Sequence, residues 1–275
     1  MSEHKVSPLW IWINLVVVWV SWGTTYLALR IGVRDLPPFL FSGSRITLAG
    51  LILIAFFFFW KGKIWLKAAE LWPIWASALF LFVGGNGLCT WAEKTVESGL
   101  ASVLVATTPL WMTLFDSLWP GGSRIGLLKW LGMLVGFAGV CLIVIDPSAQ
   151  TSLLQWEQWE EGNLMALASA FCWAVGSILQ RRLVPKIDAV QIAGWQMFLG
   201  GLSLWALGLL IGEGKQMGWE NLTKSAIGAF FYLLLIGSLL GFVAYVWLLQ
   251  HTTPAVASTY GYVNPVVAVF VGWAL

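Results

Sequence analysis

Charged positions along the chain fall in short clusters separated by long apolar runs. Residues 6–29, 46–60, 71–92, 98–115, 130–145, 162–180 and 189–212 hold no Asp, Glu, Lys or Arg, and neither does the run 225–275. That last run has 51 residues, too many for one helix, and Gln250-His251-Thr252-Thr253-Pro254 divides it with polar positions and a proline. About 20 apolar residues cross the hydrocarbon core of a bilayer. The pattern therefore predicts nine membrane-spanning helices, at 9–29, 38–60, 71–92, 98–118, 126–146, 162–181, 189–211, 226–249 and 255–275. The period-two alternation over about ten residues that barrel strands need is absent. Helices are then the one backbone form that satisfies its own polar groups in lipid.

Composition agrees and narrows the class. The chain is 59% hydrophobic and 10% charged, against about 25% charged in soluble domains, and it carries 20 Trp and 16 Phe. This excludes a disordered chain, a collagen and a disulfide scaffold. A net charge of +2 supplies no basic patch for nucleic acid. Cys89, Cys141 and Cys172 all fall within spans and read as small apolar residues. The first span is too long for a signal-peptide core and lacks a cleavage site, so it is expected to stay as an anchor. No loop is long enough for a second domain; the longest, 147–161, is acidic (Glu157, Glu160, Glu161) and carries Trp156 and Trp159. With the N-terminus inside, inner segments hold nine Lys and Arg and outer segments five, so the positive-inside rule places the N-terminus in the cytoplasm.

The chain also resembles itself. Trp22–Gly50 aligns without gaps on Trp173–Gly201, an offset of 151 that sets Trp22 on Trp173, Arg30 on Arg181, Arg45 on Gln196 and Gly50 on Gly201. Gly85–Phe115 aligns on Gly241–Val271, an offset of 156 that sets Trp91 on Trp247, Ala101-Ser102 on Ala257-Ser258 and Pro109 on Pro265. Five spans in the first copy is an odd number, so the second copy enters the membrane from the opposite side. Inverted repeats are a recurring construction of secondary transporters, with the substrate held near the midplane. The fold class expected is an all-α polytopic membrane protein with an inverted repeat of five helices, the units being 9–146 and 162–275. Adding 156 to the fifth span places a tenth at about 282–302, past Leu275, so a truncated second unit is expected, with a genuine nine-helix variant as the alternative.

Candidate chemistry gathers around matched prolines. Pro109 and Pro265 lie near the centres of the fourth and ninth spans and each removes a helix donor, freeing the carbonyls of Val105 and Gly261. Helix breaks at matched positions in two halves point to a transport site. Thr107 and Thr108 precede the first proline; Tyr260, Tyr262 and Asn264 precede the second. Asn86, Thr90 and Glu93 share one face of the third span, and Trp22, Thr25 and Tyr26 cluster in the first. Polar faces in lipid turn toward the bundle interior, although helix–helix hydrogen bonding is the alternative for each threonine. A cavity bearing Trp22, Tyr26, Trp91, Trp111, Trp173, Tyr245 and Tyr262 would suit flat amphipathic solutes. Trp10, Trp12, Trp60, Trp65, Trp72 and Trp119 lie at span ends and read as interfacial belt.

Arg45 is the one charge well inside a span, about 10 Å along the second helix from its outer end. A lipid-facing arginine there costs at least ~2.5 kcal/mol, so it is expected to face protein or water, with Glu93 as its natural partner. Three roles compete for it: a structural ion pair, an outer gate, or an anchor for a substrate carboxylate. Gly132, Gly136 and Gly139 in the fifth span, and Gly237 and Gly241 in the eighth, have the spacing of close helix packing.

Trp22-Gly23-Thr24-Thr25-Tyr26, Arg45 with Ala49-Gly50, Val83-Gly84-Gly85-Asn86-Gly87 and Tyr262-Val263-Asn264-Pro265-Val266-Val267 resemble bacterial inner-membrane exporters of the drug/metabolite transporter superfamily with two EamA domains. The resemblance implies ten helices, cytoplasmic termini, a central cavity between inverted halves, and export of amino acids, related metabolites or drugs. It points to the Trp22–Tyr26 segment, Asn86, Glu93, Thr107–Pro109 and Tyr262–Pro265 as cavity residues. The expected function is secondary transport by alternating access, with Arg45 and Glu93 in gating or coupling. A channel, a lipid scramblase and a nucleobase or sugar carrier of the same fold are the alternatives. No nucleotide-binding loop is present, and His4 and His251 are the only histidines, with no metal cluster or Ser-His pairing in a span, so an enzyme is not expected. No cofactor is expected; the partners are a small-molecule substrate and the lipid bilayer, with no nucleic acid and a homodimer left open.

Overall fold

The structure, a computed structural model, describes residues 7–62, 65–122, 126–144, 161–218 and 222–274. Within them run nine helical segments: α1 (Pro8–Asp35), α2 (Pro38–Lys61), α3 (Ala68–Ala92), α4 (Ser98–Leu118), α5 (Leu127–Val144), α6 (Glu161–Leu183), α7 (Ala189–Leu210), α8 (Lys224–His251) and α9, which comes in two pieces, Pro254–Ala257 and Tyr260–Ala274. All but α5 and α9 are long and apolar enough to cross a membrane, and α5 contains the shorter apolar stretch Trp130–Gly139. No strand occurs among the described residues. The acidic connection expected at 147–161 lies outside them, except Glu161, which opens α6.

Local sequence explains most helix ends. α1 outruns its charge-free segment and carries Arg30, Arg34 and Asp35 on its last turns, because what stops it is Pro37-Pro38. α2 ends at Gly62, whose φ of 69° suits glycine, with the Gly62 N–H donating to Phe58 O. Asp188 accepts the Val190 N–H at the start of α7, and Thr223 the Ala226 N–H at the start of α8. The first turn of α2 has no local cap. Glu213, buried in the 3-10 turn Glu213–Gln216, accepts the N–H groups of Phe39 (3.2 Å) and Leu40 (2.9 Å) instead. Asp188 stands at the α7 position related to Pro37 by the 151 offset, so the two units cap the same helix end by different means.

The packing repeats under the same offsets. α1 packs against α8 and α9, and its counterpart α6 packs against α3 and α4, while α2 and α7 form the most extensive contact with each other. Each unit's first helix therefore lies among the other unit's third and fourth helices. The α2–α7 contact runs over Gly43, Gly50, Gly194 and Gly201, spaced by seven in each helix. A Cβ at Gly50 would stand 2.3 Å from the Phe198 nitrogen, and one at Gly201 would stand 2.5 Å from the Thr47 nitrogen. These are matched pairs, and backbone meets backbone at both.

Two expectations about helix packing need correction. Among the described residues, added Cβ atoms at Gly132 and Gly139 would meet nothing within 4 Å, and at Gly136 only the Tyr262 ring at 3.5 Å, so these α5 glycines form no close-packing seam with the described helices. The glycines of α8 are one: Gly237 faces Thr25 at 3.0 Å and Gly241 faces Trp22 at 2.6 Å. Nor are the two prolines equivalent breaks. α4 is interrupted at Ala106-Thr107, with Pro109 in the first turn of its second piece, whereas Pro265 lies inside the helix Tyr260–Ala274 and the break in α9 falls earlier, at Ser258-Thr259. A proline is cheap in a first turn, where its N–H has no partner to lose. The Thr108 hydroxyl donates to the freed Val105 carbonyl (2.7 Å). Pro109 then packs on Gly261, where a Cβ would stand 2.8 Å from its Cδ, so the proline of one unit touches the proline-freed residue of the other.

Candidate functional site

A second pair of matched interruptions lies in α3 and α8. Leu79–Gly87 and Leu233–Phe242 are both π-helical and nearly coincide under the 156 offset. The wider π turn occurs often at functional sites, and here it brings glycines under two tryptophans. Trp173 of α6 lies against Gly85 of α3 (2.7 Å to an added Cβ), and Trp22 of α1 lies against Gly241 of α8 (2.6 Å). Each repeat-related indole therefore sits on the other unit's repeat-related glycine. The two rings meet edge to face, their centroids 5.3 Å apart. The Trp22 indole N–H donates to Gly237 O (3.0 Å), and that of Trp173 to the Tyr245 hydroxyl (3.2 Å).

Beside this pair is a cavity with about 100 Å³ of space for the centres of water molecules. Trp22, Thr25, Tyr26, Asn86, Trp173, Asn264 and Arg45, all expected from the sequence, line it. Phe82, Cys89, Met197, Ser238, Phe242 and Tyr260 complete much of the wall. The repeat could have found two of these, because Phe82 corresponds to Ser238 and Asn86 to Phe242 under the 156 offset. Phe82 and Phe242 pair with centroids 4.9 Å apart. The two polar members hold Arg45: Nη1 donates to Ser238 Oγ (2.6 Å) and Nη2 to Asn86 Oδ1 (3.2 Å). Its Nε has no hydrogen-bond partner, although the residue is 3% exposed. The corresponding Gln196 donates to Ser77 Oγ and Gln180 Oε1, so only one unit brings a charge to the centre. With its amide turned to satisfy both groups, Asn264 donates to the Trp19 and Tyr260 carbonyls (3.2 and 3.0 Å).

The expected Arg45–Glu93 ion pair does not form. Glu93 lies past the end of α3, in the turn before α4, and accepts from the Ser98 hydroxyl (3.0 Å), while its Oε1 has no partner. Burial pushes its carboxyl up to about 8, with Ser98 and Arg30 pulling the other way. The ion pair found among the described residues is Arg182–Asp116 (2.5 Å), between α6 and α4. Next to it, Arg181 donates to the carbonyls of Leu249 and Thr252 at the end of α8.

The remaining candidates lie off the cavity. Thr107 and Thr108 spend their hydroxyls on Leu104 O and Val105 O of their own helix, bonds that reach neither the cavity nor, as the alternative had it, a neighbouring helix. Trp91 packs on Phe39, and Trp111 on Phe115 and Phe171. Tyr245 is fully buried under the tryptophan pair, bonded to Ser177 (2.6 Å). Tyr262 donates to Met133 O (3.2 Å) and ties α9 to α5. Pro109 and Pro265 shape helices without lining the cavity. Thr90 joins α3 to α2 through Ser42 (2.9 Å). Trp10, Trp12, Trp60, Trp65 and Trp72 are exposed, as a belt requires.

Apolar spans arranged as two interlocked repeats around a largely apolar central cavity that holds one buried arginine define a membrane transporter. The chain belongs to the EamA-like transporter family, whose sequence pattern matches residues 9–145 and 161–275. It is similar to the inner membrane transporter YedA of Escherichia coli (strain K12), 34% identical over 269 residues that cover 95% of this chain and 81% of that protein. It is also similar to the transporter YoaV of Bacillus subtilis (strain 168), 25% identical over 95% of this chain and 87% of the relative. A crystal structure 21% identical in sequence superposes with a TM-score of 0.74, covering 96% of this chain and 88% of the other, and shows the same fold. The chain is thus a multi-pass inner-membrane protein.

Proposed function

We propose that the protein is a secondary transporter that exports small organic metabolites, such as amino acids or drug-like amphipathic compounds, across the bacterial cytoplasmic membrane by alternating access. One observation carries this reading: two repeat-related tryptophans, each seated on the other unit's glycine, meet beside a cavity that holds a buried arginine. Units 9–146 and 162–275 act as the two inverted EamA-like repeats, with the N-terminus in the cytoplasm. Trp22, Thr25, Tyr26, Asn86, Trp173 and Asn264 contact the solute. The two helix groups, α1 with α8 and α9 and α6 with α3 and α4, rock around it while the α2–α7 pair serves as pivot. Glu93 serves in gating or coupling at the end of α3, opposite Arg30. The reaction is movement alone, with no covalent chemistry.

Counterflow in proteoliposomes tests the mechanism. Saturable exchange of internal for external solute is expected; flux that rises linearly with concentration would make the protein a pore. An efflux screen across amino acids, amines and nucleobases tests the direction, and no effect on any of them would sink the export reading.

A further inference from the structure

Among the described residues the buried guanidinium has no counter-charge. Arg45 makes no ion pair among the described residues; its two hydrogen bonds go to a neutral amide and a neutral hydroxyl. No Asp or Glu lines the cavity. An arginine stays protonated in proteins, and a buried charge is stabilised only by pairing or full hydrogen bonding. Here the Nε–H has neither. The charge is also absent from the related position, Gln196, so the fold tolerates a neutral residue there. The cavity lining also includes four flat rings, Trp22, Trp173, Phe82 and Phe242.

We propose that Arg45 anchors an anionic group of the transported solute, so that the substrate is a small monocarboxylate with a flat apolar or aromatic body. A carboxylate accepts two parallel N–H bonds from a guanidinium edge; the buried Nε–H has no acceptor and its edge-mate Nη2 is held by Asn86, so a carboxylate would take the place of the Asn86 amide. The aromatic walls take the body of the molecule. A cationic amphipath meets a like charge in the cavity, and a zwitterion brings an ammonium for which the lining holds no carboxylate. The inference rests on the transporter reading above and narrows it, keeping amphipathic acids and setting aside the zwitterionic amino acids among the solutes named there.

Calorimetric binding to the purified full chain tests the proposal, with 3-phenylpropionate, its amide and phenylethylamine as probes. The acid is expected to bind at least tenfold more tightly than either analogue. Ser238→Asp sets a carboxylate against Arg45 from inside and is expected to weaken acid binding at least tenfold. Arg45→Gln is expected to abolish the preference for acid over amide. Equal binding of the acid and either analogue, no binding of the acid, or a Ser238→Asp chain that binds it as wild type does would each overturn the proposal. The wild-type preference and Ser238→Asp keep the test independent of whether Arg45→Gln folds. Counterflow with the same probes separates the two readings. Acid bound but never exchanged supports the anionic site and removes the carrier; exchange of amine or amide in preference to acid keeps the carrier and overturns the anionic site.

Discussion

Alanine at Gly50 or Gly201 should force α2 and α7 apart. The new Cβ would stand 2.3 Å from the Phe198 nitrogen in the first case and 2.5 Å from the Thr47 nitrogen in the second. Unstrained heavy-atom contacts begin near ~3.5 Å, so each pair must open by about 1 Å. Neither obstacle can rotate away, because both are backbone. A gap of ~0.5–1 Å forfeits a quarter to a half of each ~0.1–0.2 kcal/mol contact; over about 40 contacts, as many as one buried leucine makes, the loss is roughly 1–4 kcal/mol and about 2 kcal/mol at the middle of each range. Alanine's better helix propensity offsets about 1 kcal/mol of it. Each single variant should therefore lose about 1 kcal/mol and at most about 3 kcal/mol, the mid-range loss being roughly 2–4 °C in thermal midpoint at about 2–4 °C per kcal/mol. The double variant should lose less than the sum, since one separation of the same two helices relieves both clashes. Thermal unfolding in detergent measures this, with Gly228→Ala as control: its Cβ meets nothing within 4 Å, so it should be neutral or slightly stabilising. Gly50→Ala at or above the wild-type midpoint, or a fully additive double variant, would refute the account of the crossing.

Other outcomes follow from the site and its surroundings. Trp22→Phe and Trp173→Phe each remove one indole hydrogen bond and should lower stability by about 1 kcal/mol each, by thermal unfolding, and slow exchange to a similar degree. The Glu93 carboxyl titrates near 8 when folded and near 4.5 when free, so between those values the folded chain binds the extra proton and stability falls as pH rises, levelling above about 8. Glu93→Gln should remove this slope and gain on wild type toward high pH; a wild-type midpoint flat between about pH 5 and 9 would contradict it. Asp116→Ala strips the partner from partly buried Arg182 and should destabilise by about 1–3 kcal/mol, discounted from fully buried pairs because the arginine reaches solvent. For orientation, a cysteine at Lys186 should react with an impermeant thiol reagent only after cells are opened, and one at Lys215 in intact cells.

The spans and the repeat were legible because their signals are local or periodic. A charge-free run of 20 residues has one stable form in lipid, and the offsets needed only Trp, Gly, Arg and Pro in register. Arg45 was legible as buried for the same reason. Its partner was not. Glu93 shares a helix face with Asn86, but the π turn at Leu79–Gly87 and the approach of α8 give the arginine to Asn86 and Ser238. The threonines before Pro109 carry the right groups for a site, yet the nearest acceptors are carbonyls of their own helix. Trp91 and Trp111 have the same composition as Trp22 and Trp173 and differ only in which neighbour each meets.

By itself, then, the sequence determined that this chain is an apolar helical membrane protein built twice over, and that one charge must hide inside it. Burial from water and backbone satisfaction in lipid are properties of each segment alone, so no knowledge of neighbours was needed. Only the tertiary structure decided that Trp22 and Trp173 meet, that Phe82 pairs with Phe242 while Asn86 and Ser238 hold Arg45, and that Tyr245 lies beneath the cavity wall. Spans that are apolar all round carry no stripe to say which face turns inward. That choice is made by steric fit between distant segments, indole on glycine and backbone on backbone.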